Sequence, residues 1–249
     1  MRIKTDVGFE ALNSTLDITK AHHIIVGYDW KMSTNSHLRL EPYYQILYDV
    51  PVIKDSSFSM INYNNEMYFS SQLFNTGTGS NVGIDITFER FMKNGYYYML
   101  TTSLFNSKYV GGDGVERNTK YNQNLVFNIL GGKEWQTRKN NTFGLNGKFT
   151  ILGGRRYAPI DMDKSLSSQF VIYDNSRIFE EQVPTNYYLD ISTNYTINKP
   201  RLSHSIIIQV KNLLLQKEFL GHTYNYRTNT IVPYELTILF PYISYKILF

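Results

Sequence analysis

Three adjacent residues, Arg155-Arg156-Tyr157, carry the strongest binding chemistry in the chain. Two guanidinium forks beside a phenol ring suit an anionic or sugar-like ligand, through paired charge-assisted hydrogen bonds and ring stacking. Packing against a neighbouring part of the molecule uses the same residue types and explains them better, with ligand binding at an outer loop the alternative. His22-His23 invites a metal reading, but adjacent residues of a strand point to opposite faces and cannot jointly chelate one ion. Ser203-His204-Ser205 supplies nucleophile and base types, yet consecutive strand positions do not form a nucleophile–base pair, and no oxyanion motif accompanies them. Asp161, Asp163, Asp174, Glu180 and Glu181 would attract a cation, although their spacing is not that of a calcium loop. A solvated connection explains them better. The chain is therefore read as no enzyme, with no catalytic residue, metal site or cofactor.

The elements that must position these residues follow from composition and periodicity. The 249 residues are 42% hydrophobic, enough for one large domain. Aromatics reach 15%, with 21 Tyr and 15 Phe against 2 Trp. Tyr tolerates apolar surroundings at its ring and prefers water at its hydroxyl, which suits a membrane–water boundary. There is no cysteine, hence no disulfide framework and no thiolate chemistry. The net charge of +4 is scattered without a basic stripe, which argues against nucleic acid as a partner. No apolar run approaches the roughly 18–20 residues of a spanning helix, so any membrane insertion falls to strands. A mean hydropathy of −0.32 is compatible with that, because half of each barrel strand faces a polar interior.

Period-two alternation predicts about nine strands, near 21–31, 37–49, 80–91, 96–108, 120–135, 142–152, 185–197, 202–213 and 237–249. The clearest sets Tyr187, Leu189, Ile191, Tyr195 and Ile197 against Asn186, Asp190, Ser192 and Asn194. Pro42 inside the second strand cannot donate to a ladder, so a bulge is expected there. Lys93-Asn94-Gly95 reads as a tight hairpin turn, and Tyr96-Tyr97-Tyr98 beside it as an interfacial girdle. Connections alternate strictly between short and long, the long ones near 50–78, 109–119, 153–183 and 214–235. Soluble strands average about five or six residues, whereas a tilted membrane strand needs about 9–11. The fold class expected is all-β, a transmembrane antiparallel β-barrel segment with short periplasmic turns and long extracellular loops. A soluble sandwich is the alternative left open by the terminal stretch alone. Lys148, Asp190 and Lys246 then face the lumen.

The last stretch places Ile243, Tyr245, Ile247 and Phe249 on one face and ends on an aromatic residue. It resembles the closing strand of bacterial outer-membrane barrels, the signal read by the barrel assembly machinery. Nine passes would put residues 1–19, read as loop or strand remnant, on the outer side. The amino terminus also lacks the apolar core of a signal peptide. Both observations suggest that residues 20–249 are the distal portion of a larger barrel.

Several runs together resemble the distal barrel of TonB-dependent outer-membrane receptors of the Bacteroidetes type. They are Ala21–Trp30, Glu41-Pro-Tyr-Tyr-Gln45, Asp49-Val-Pro-Val-Ile53, Asn75-Thr-Gly-Thr-Gly79 and Gly83-Ile-Asp-Ile-Thr87. Gly95-Tyr-Tyr-Tyr98, Ser107-Lys-Tyr109, Gly131-Gly-Lys-Glu134, Gly154–Asp161, Lys211-Asn-Leu213 and the terminal strand complete the set. The resemblance implies a plugged barrel of about 22 strands in the outer membrane of a Gram-negative cell. Such a receptor imports a scarce ligand of siderophore, glycan, peptide or cofactor type. Its implied partners are outer-membrane lipid, the plug domain and remaining strands, and the TonB complex through an amino-terminal segment that this sequence does not contain. In that setting Arg155, Arg156 and Tyr157 either meet ligand at an outer loop or pack against the plug. A passive pore or structural barrel is the alternative function.

Overall fold

Alternating side chains favour an extended backbone, and in the computed structural model the chain is extended over most of its length. Residues 2–5, 8–63 and 71–249 are described. Strands β1 (Arg2–Thr5) and β2 (Gly8–Ala11) form a small hairpin within the region expected to be loop or strand remnant; residues 1, 6 and 7 of that region lie outside the described ones. The first long pass is split into β3 (Lys20–Ile25) and β4 (Tyr28–Ser33). It is followed by β5 (Ser36–Val52), β6 (Phe74–Lys93) and β7 (Tyr96–Val110). After the short β8 (Glu116–Asn118) come β9 (Leu125–Gln136) and β10 (Thr142–Leu152). The next connection holds β11 (Arg156–Tyr157), the helix α1 (Met162–Ser168) and β12 (Glu181–Gln182). Then follow β13 (Asn186–Asn198), β14 (Ser203–Lys211), the hairpin β15 (Glu218–Asn225) and β16 (Thr230–Leu236), and β17 (Phe240–Leu248).

The long strands form one antiparallel sheet in the order β17-β14-β13-β10-β9-β7-β6-β5-β3, with β4 also on β5 and β8 on β7. This is a meander of nine passes. Among the described residues β17 and β3 do not pair with each other, so the sheet is open. Connections alternate as expected. Thr34-Asn35, Asn94-Gly95, 137–141 and 199–202 are short, while 53–73, 111–124, 153–185 and 212–239 are long and leave and rejoin the sheet at its other end. At the Asn94-Gly95 turn both φ angles are positive, +56° and +80°, and a Cβ on Gly95 would sit 2.5 Å from the Glu134 carbonyl. The turn needs glycine there.

Residues paired across an antiparallel ladder share a face. One row runs Leu189–Phe149–Ile129–Leu100–Phe88–Leu38–Trp30 across seven consecutive passes. The neighbouring row on the opposite face runs Tyr188–Thr150–Asn128–Thr101–Thr87–Arg39–Asp29. The sheet therefore has an apolar and a polar face. No second layer covers the apolar one among the described residues: Ile129 is 41% exposed, Leu145 45% and Ile243 73%. On the polar face, side chains bond across strands. Gln45 accepts from Asn81, which accepts from Ser107, which accepts from Thr119.

Several boundaries differ from the sequence reading. Pro42 sits in a regular ladder opposite Ile84, without the expected bulge. Its carbonyl accepts from Val26, so its missing N–H faces the break between β3 and β4. The proline interrupts its neighbour rather than its own strand. The register shift in β5 falls instead after Leu47, around Asp49, whose φ is +56°. The strand expected at 120–135 begins only at Leu125, because Asn124 has φ +66° and Asn122 turns inward to bond Asn106 and Asn118. The connection read at 50–78 is shortened by β5 and β6, and residues 64–70 lie outside the described ones. The stretch 214–235, read as loop, contains most of the β15–β16 hairpin.

Buried apolar side chains occur at Val50, Val52, Leu73, Tyr109, Ala158, Val183 and Tyr224, with Val50, Val52 and Tyr109 fully so. All lie in the long connections or at the strand ends beneath them. The core is a crown at one end of the sheet.

Candidate functional site

The crown places the Arg155-Arg156-Tyr157 segment by leaving no room for side chains just before it. A Cβ on Gly153 would lie 1.9 Å from the Gln123 carbonyl, and one on Gly154 would lie 1.6 Å from that of Val183. The chain thus leaves β10 pressed between the 111–124 connection and the returning end of its own connection, and β11 pairs with β12 through Arg156–Gln182 and Tyr157–Glu181. Asp161 caps α1 by accepting from the Lys164 N–H, and the buried Ser165 holds Ile172 through both its backbone groups. That fixes the return of the chain through Tyr173.

A cavity of about 240 Å³ opens there, walled by Arg155, Tyr157, Tyr173, Ile178, Phe179 and Phe219, with Lys120 and Arg156 also on its lining. The three candidates behave differently. Arg156 donates Nε to the Asn122 carbonyl at 3.0 Å, Nη1 to that of Glu180 at 3.4 Å and Nη2 to Asn124 Oδ1 at 3.0 Å. It pins three segments of the crown together. Burial lowers its affinity for the proton from the usual guanidinium value. Arg155 donates Nη2 to the Phe219 carbonyl at 3.1 Å, and the rest of its fork has no protein acceptor among the described residues. Tyr157 packs against Phe219 and His222 at centroid distances of 5.6 and 5.5 Å. Burial, with a smaller effect of Glu181, raises its phenol pKa. His222 lies 3.3 Å from the Tyr173 hydroxyl, and burial lowers its pKa, so the ring is neutral at pH 7.

Among the described residues the lining carries three basic side chains and no carboxylate. Such a cavity favours a ligand with an apolar or aromatic body and a negative or carbonyl-bearing edge near Arg155. Phe219 and His222 come from the β15–β16 hairpin, and Tyr173 from beyond α1. Their contribution escaped the sequence reading because they are 62, 65 and 16 residues from Tyr157 along the chain. The alternation around Thr230-Ile231-Val232 is the signal that would have revealed the hairpin.

The remaining candidates are dispersed. His22 stacks on Tyr48 at 5.1 Å, while His23 bonds Gln45 on the other face. Ser203 donates to Asn198, His204 meets the Tyr245 hydroxyl at 2.6 Å, and Ser205 accepts from Thr196. Asp161 pairs with Lys164, Glu180 with Arg177, and Asp174 holds Ser176; Asp163 lies in the first turn of α1 and Glu181 in β12. Among the described residues no group of three or more His, Asp or Glu is placed to hold a metal ion. Lys148 and Asp190 are cross-strand partners on the polar face, where Asp190 accepts from the Asn212 N–H, and Lys246 shares that face opposite Ser205. Ile243, Tyr245 and Ile247 pair with Ile208, Ile206 and His204 on the apolar face, and Phe249 lies fully exposed beyond the last pair.

No family model, curated protein or solved structure matches the chain.

Proposed function

We propose that the chain is a barrel segment of a TonB-dependent outer-membrane receptor, in which the full-length protein takes up a scarce ligand with energy from the inner membrane. The observation that carries this reading is the apolar face continuous over seven passes and left uncovered. In water an apolar patch beyond a few hundred Å² is rare unless it binds something, and a membrane supplies a solvent for a face of this shape. The polar, hydrogen-bonded opposite face suits a lumen. Pass lengths agree: β6 has 20 residues and β7 has 15, more than the roughly 9–11 that cross the hydrocarbon.

Nine antiparallel passes leave the two sheet edges running in the same direction. An antiparallel closure therefore takes an odd number of further strands, as a segment of a larger barrel would have. The crown and its cavity then form part of the ligand-facing surface, with Arg155 as its open cation.

The test is an immunoblot of isolated outer membranes with an antibody against residues 153–183. The reading expects a band in that fraction several times heavier than 29.1 kDa. A band confined to the soluble fraction would overturn it. A stable outer-membrane band near 29.1 kDa would favour the passive pore, which ligand-free conductance in planar bilayers would then establish.

A further inference from the structure

A second feature lies on the apolar face at the short-turn end, far from the cavity. Lys93, Tyr96 and Lys133 form one cross-strand row on β6, β7 and β9. Arg90 and Tyr98 begin the next row, which continues through Gly131 and Gly147. The Arg90 guanidinium lies 4.8 Å from the Tyr96 ring and 6.0 Å from that of Tyr98, and donates to the Tyr96 hydroxyl at 3.2 Å. The Lys133 ammonium lies 5.3 Å from the Trp135 ring, and Trp135 stacks on Phe143. None of the three cations forms an ion pair among the described residues. The adjacent acids, Glu89 and Glu134, alternate to the polar face opposite Met99 and Gly144.

Three cations without a carboxylate on a surface otherwise apolar need a reason. Ring contacts stabilise the Arg90 and Lys133 charges modestly but leave most of their donors unused, and Lys93 has no ring contact among the described residues. Gly147 also leaves a shallow trough, since a Cβ there would meet only one carbonyl, at 3.9 Å, while Tyr98 closes over Gly131, its Cβ 3.2 Å from where a Cβ on Gly131 would stand. The trough runs between Lys133 and Leu145 on one side and Ile129 and Phe149 on the other. It is apolar along its floor and cationic at its turn-side rim. Such a floor is chemically suited to an acyl chain, and such a rim to a phosphate.

We infer that Arg90, Lys93 and Lys133 hold the headgroup of an anionic phospholipid from the leaflet on the short-turn side. The site rests on the membrane reading above, since it presupposes lipid against this face. It differs from a general aromatic girdle in requiring negative charge: Tyr and Trp alone would accept any lipid at that depth. Each basic side chain near an anionic surface strengthens attraction about five-fold, and neutralising one should weaken the preference by a similar factor.

The full chain offers its own reporter, because Trp30 and Trp135 are its only tryptophans. With Trp30→Phe, the fluorescence of Trp135 is read in vesicles of phosphatidylcholine containing a minority of phosphatidylglycerol. Bromine atoms on the acyl chains of one lipid or the other serve as contact quenchers. The inference expects quenching, per mole of brominated lipid, to be several-fold stronger when phosphatidylglycerol carries the bromine. Arg90→Gln with Lys93→Gln and Lys133→Gln should erase that preference, and so should high salt. Lys93→Gln with Lys133→Gln decides the matter if the triple variant does not fold, because those two side chains are exposed and make no hydrogen bond among the described residues. Equal quenching by the two lipids would overturn the lipid site and leave the membrane reading standing. No quenching by either would overturn both.

Discussion

The sheet and the crown solve the burial problem in opposite ways. In the crown, apolar side chains are buried by protein: Tyr109 is 1% exposed, packs edge-on against Phe179 and donates its hydroxyl to the Ser57 carbonyl. In the sheet, residues of the same chemistry form continuous rows that no layer of the described residues covers. Phe143 is 38% exposed although it stacks on Trp135 and pairs with Tyr195. One region carries its core within itself, and the other depends on its surroundings for one. Composition does not separate them; the destination of the apolar surface does.

Truncation should expose that difference most strongly. Tyr109→Ala should destabilise the crown by about 3–5 kcal/mol, the usual cost of removing a buried aromatic. Phe143→Ala on the sheet should cost clearly less; equal losses in denaturant titrations would erase the distinction. Charge insertion tests the other side of the comparison. In vesicles, Ile129→Arg on the apolar face should cost about 2–4 kcal/mol, while Ser192→Arg on the polar face costs much less. Similar costs would mean that the faces are wrongly assigned. A smaller effect is expected at the sheet's short-turn end. Gly95→Ala places a Cβ against the Glu134 carbonyl at positive φ and should cost roughly 1–2 kcal/mol.

The mildest probe is pH, which should act on the crown first. Burial holds His222 below its ordinary value, so the unfolded crown takes up that proton more readily than the folded one. Its contribution is complete above about pH 6.5 and is lost as the pH falls through the depressed folded value. Hydrogen bonds from Arg117, Lys164 and Arg177 likewise hold Asp113, Asp161 and Glu180 low. Their contribution is present above about pH 4 and lost below it. Limited proteolysis should therefore cut residues 153–183 faster at acid than at neutral pH, before the sheet loses its circular dichroism.

The two regions also differed in how readily they could be read from the sequence. Alternation marks a strand and its faces locally, so the rows through Leu189, Ile129 and Phe88 were visible without knowing their partners. Short turns were equally legible, since Asn94-Gly95 states its own backbone conformation. Crown contacts join residues far apart: Ser57 bonds Asn175, Lys120 bonds Asn62, and Arg155 bonds Phe219. No local pattern encodes such pairings. The Arg155-Arg156-Tyr157 segment was singled out by residue type, but the division between a structural Arg156 and a more open Arg155 emerged only from their acceptors. Pro42 was misread for a related reason. Its missing donor was apparent, but the neighbouring strand that yields to it was not.

The most direct test of the uncovered face uses the absence of cysteine from the chain. Single cysteines at Phe127, Asn128, Ile129 and Leu130 can each carry a spin label in lipid vesicles, read for collision with oxygen and with a water-soluble nickel complex. The account predicts a period of two, with oxygen favoured at 127 and 129 and nickel at 128 and 130. Four positions with the same accessibility, or nickel favoured at 127 and 129, would contradict it.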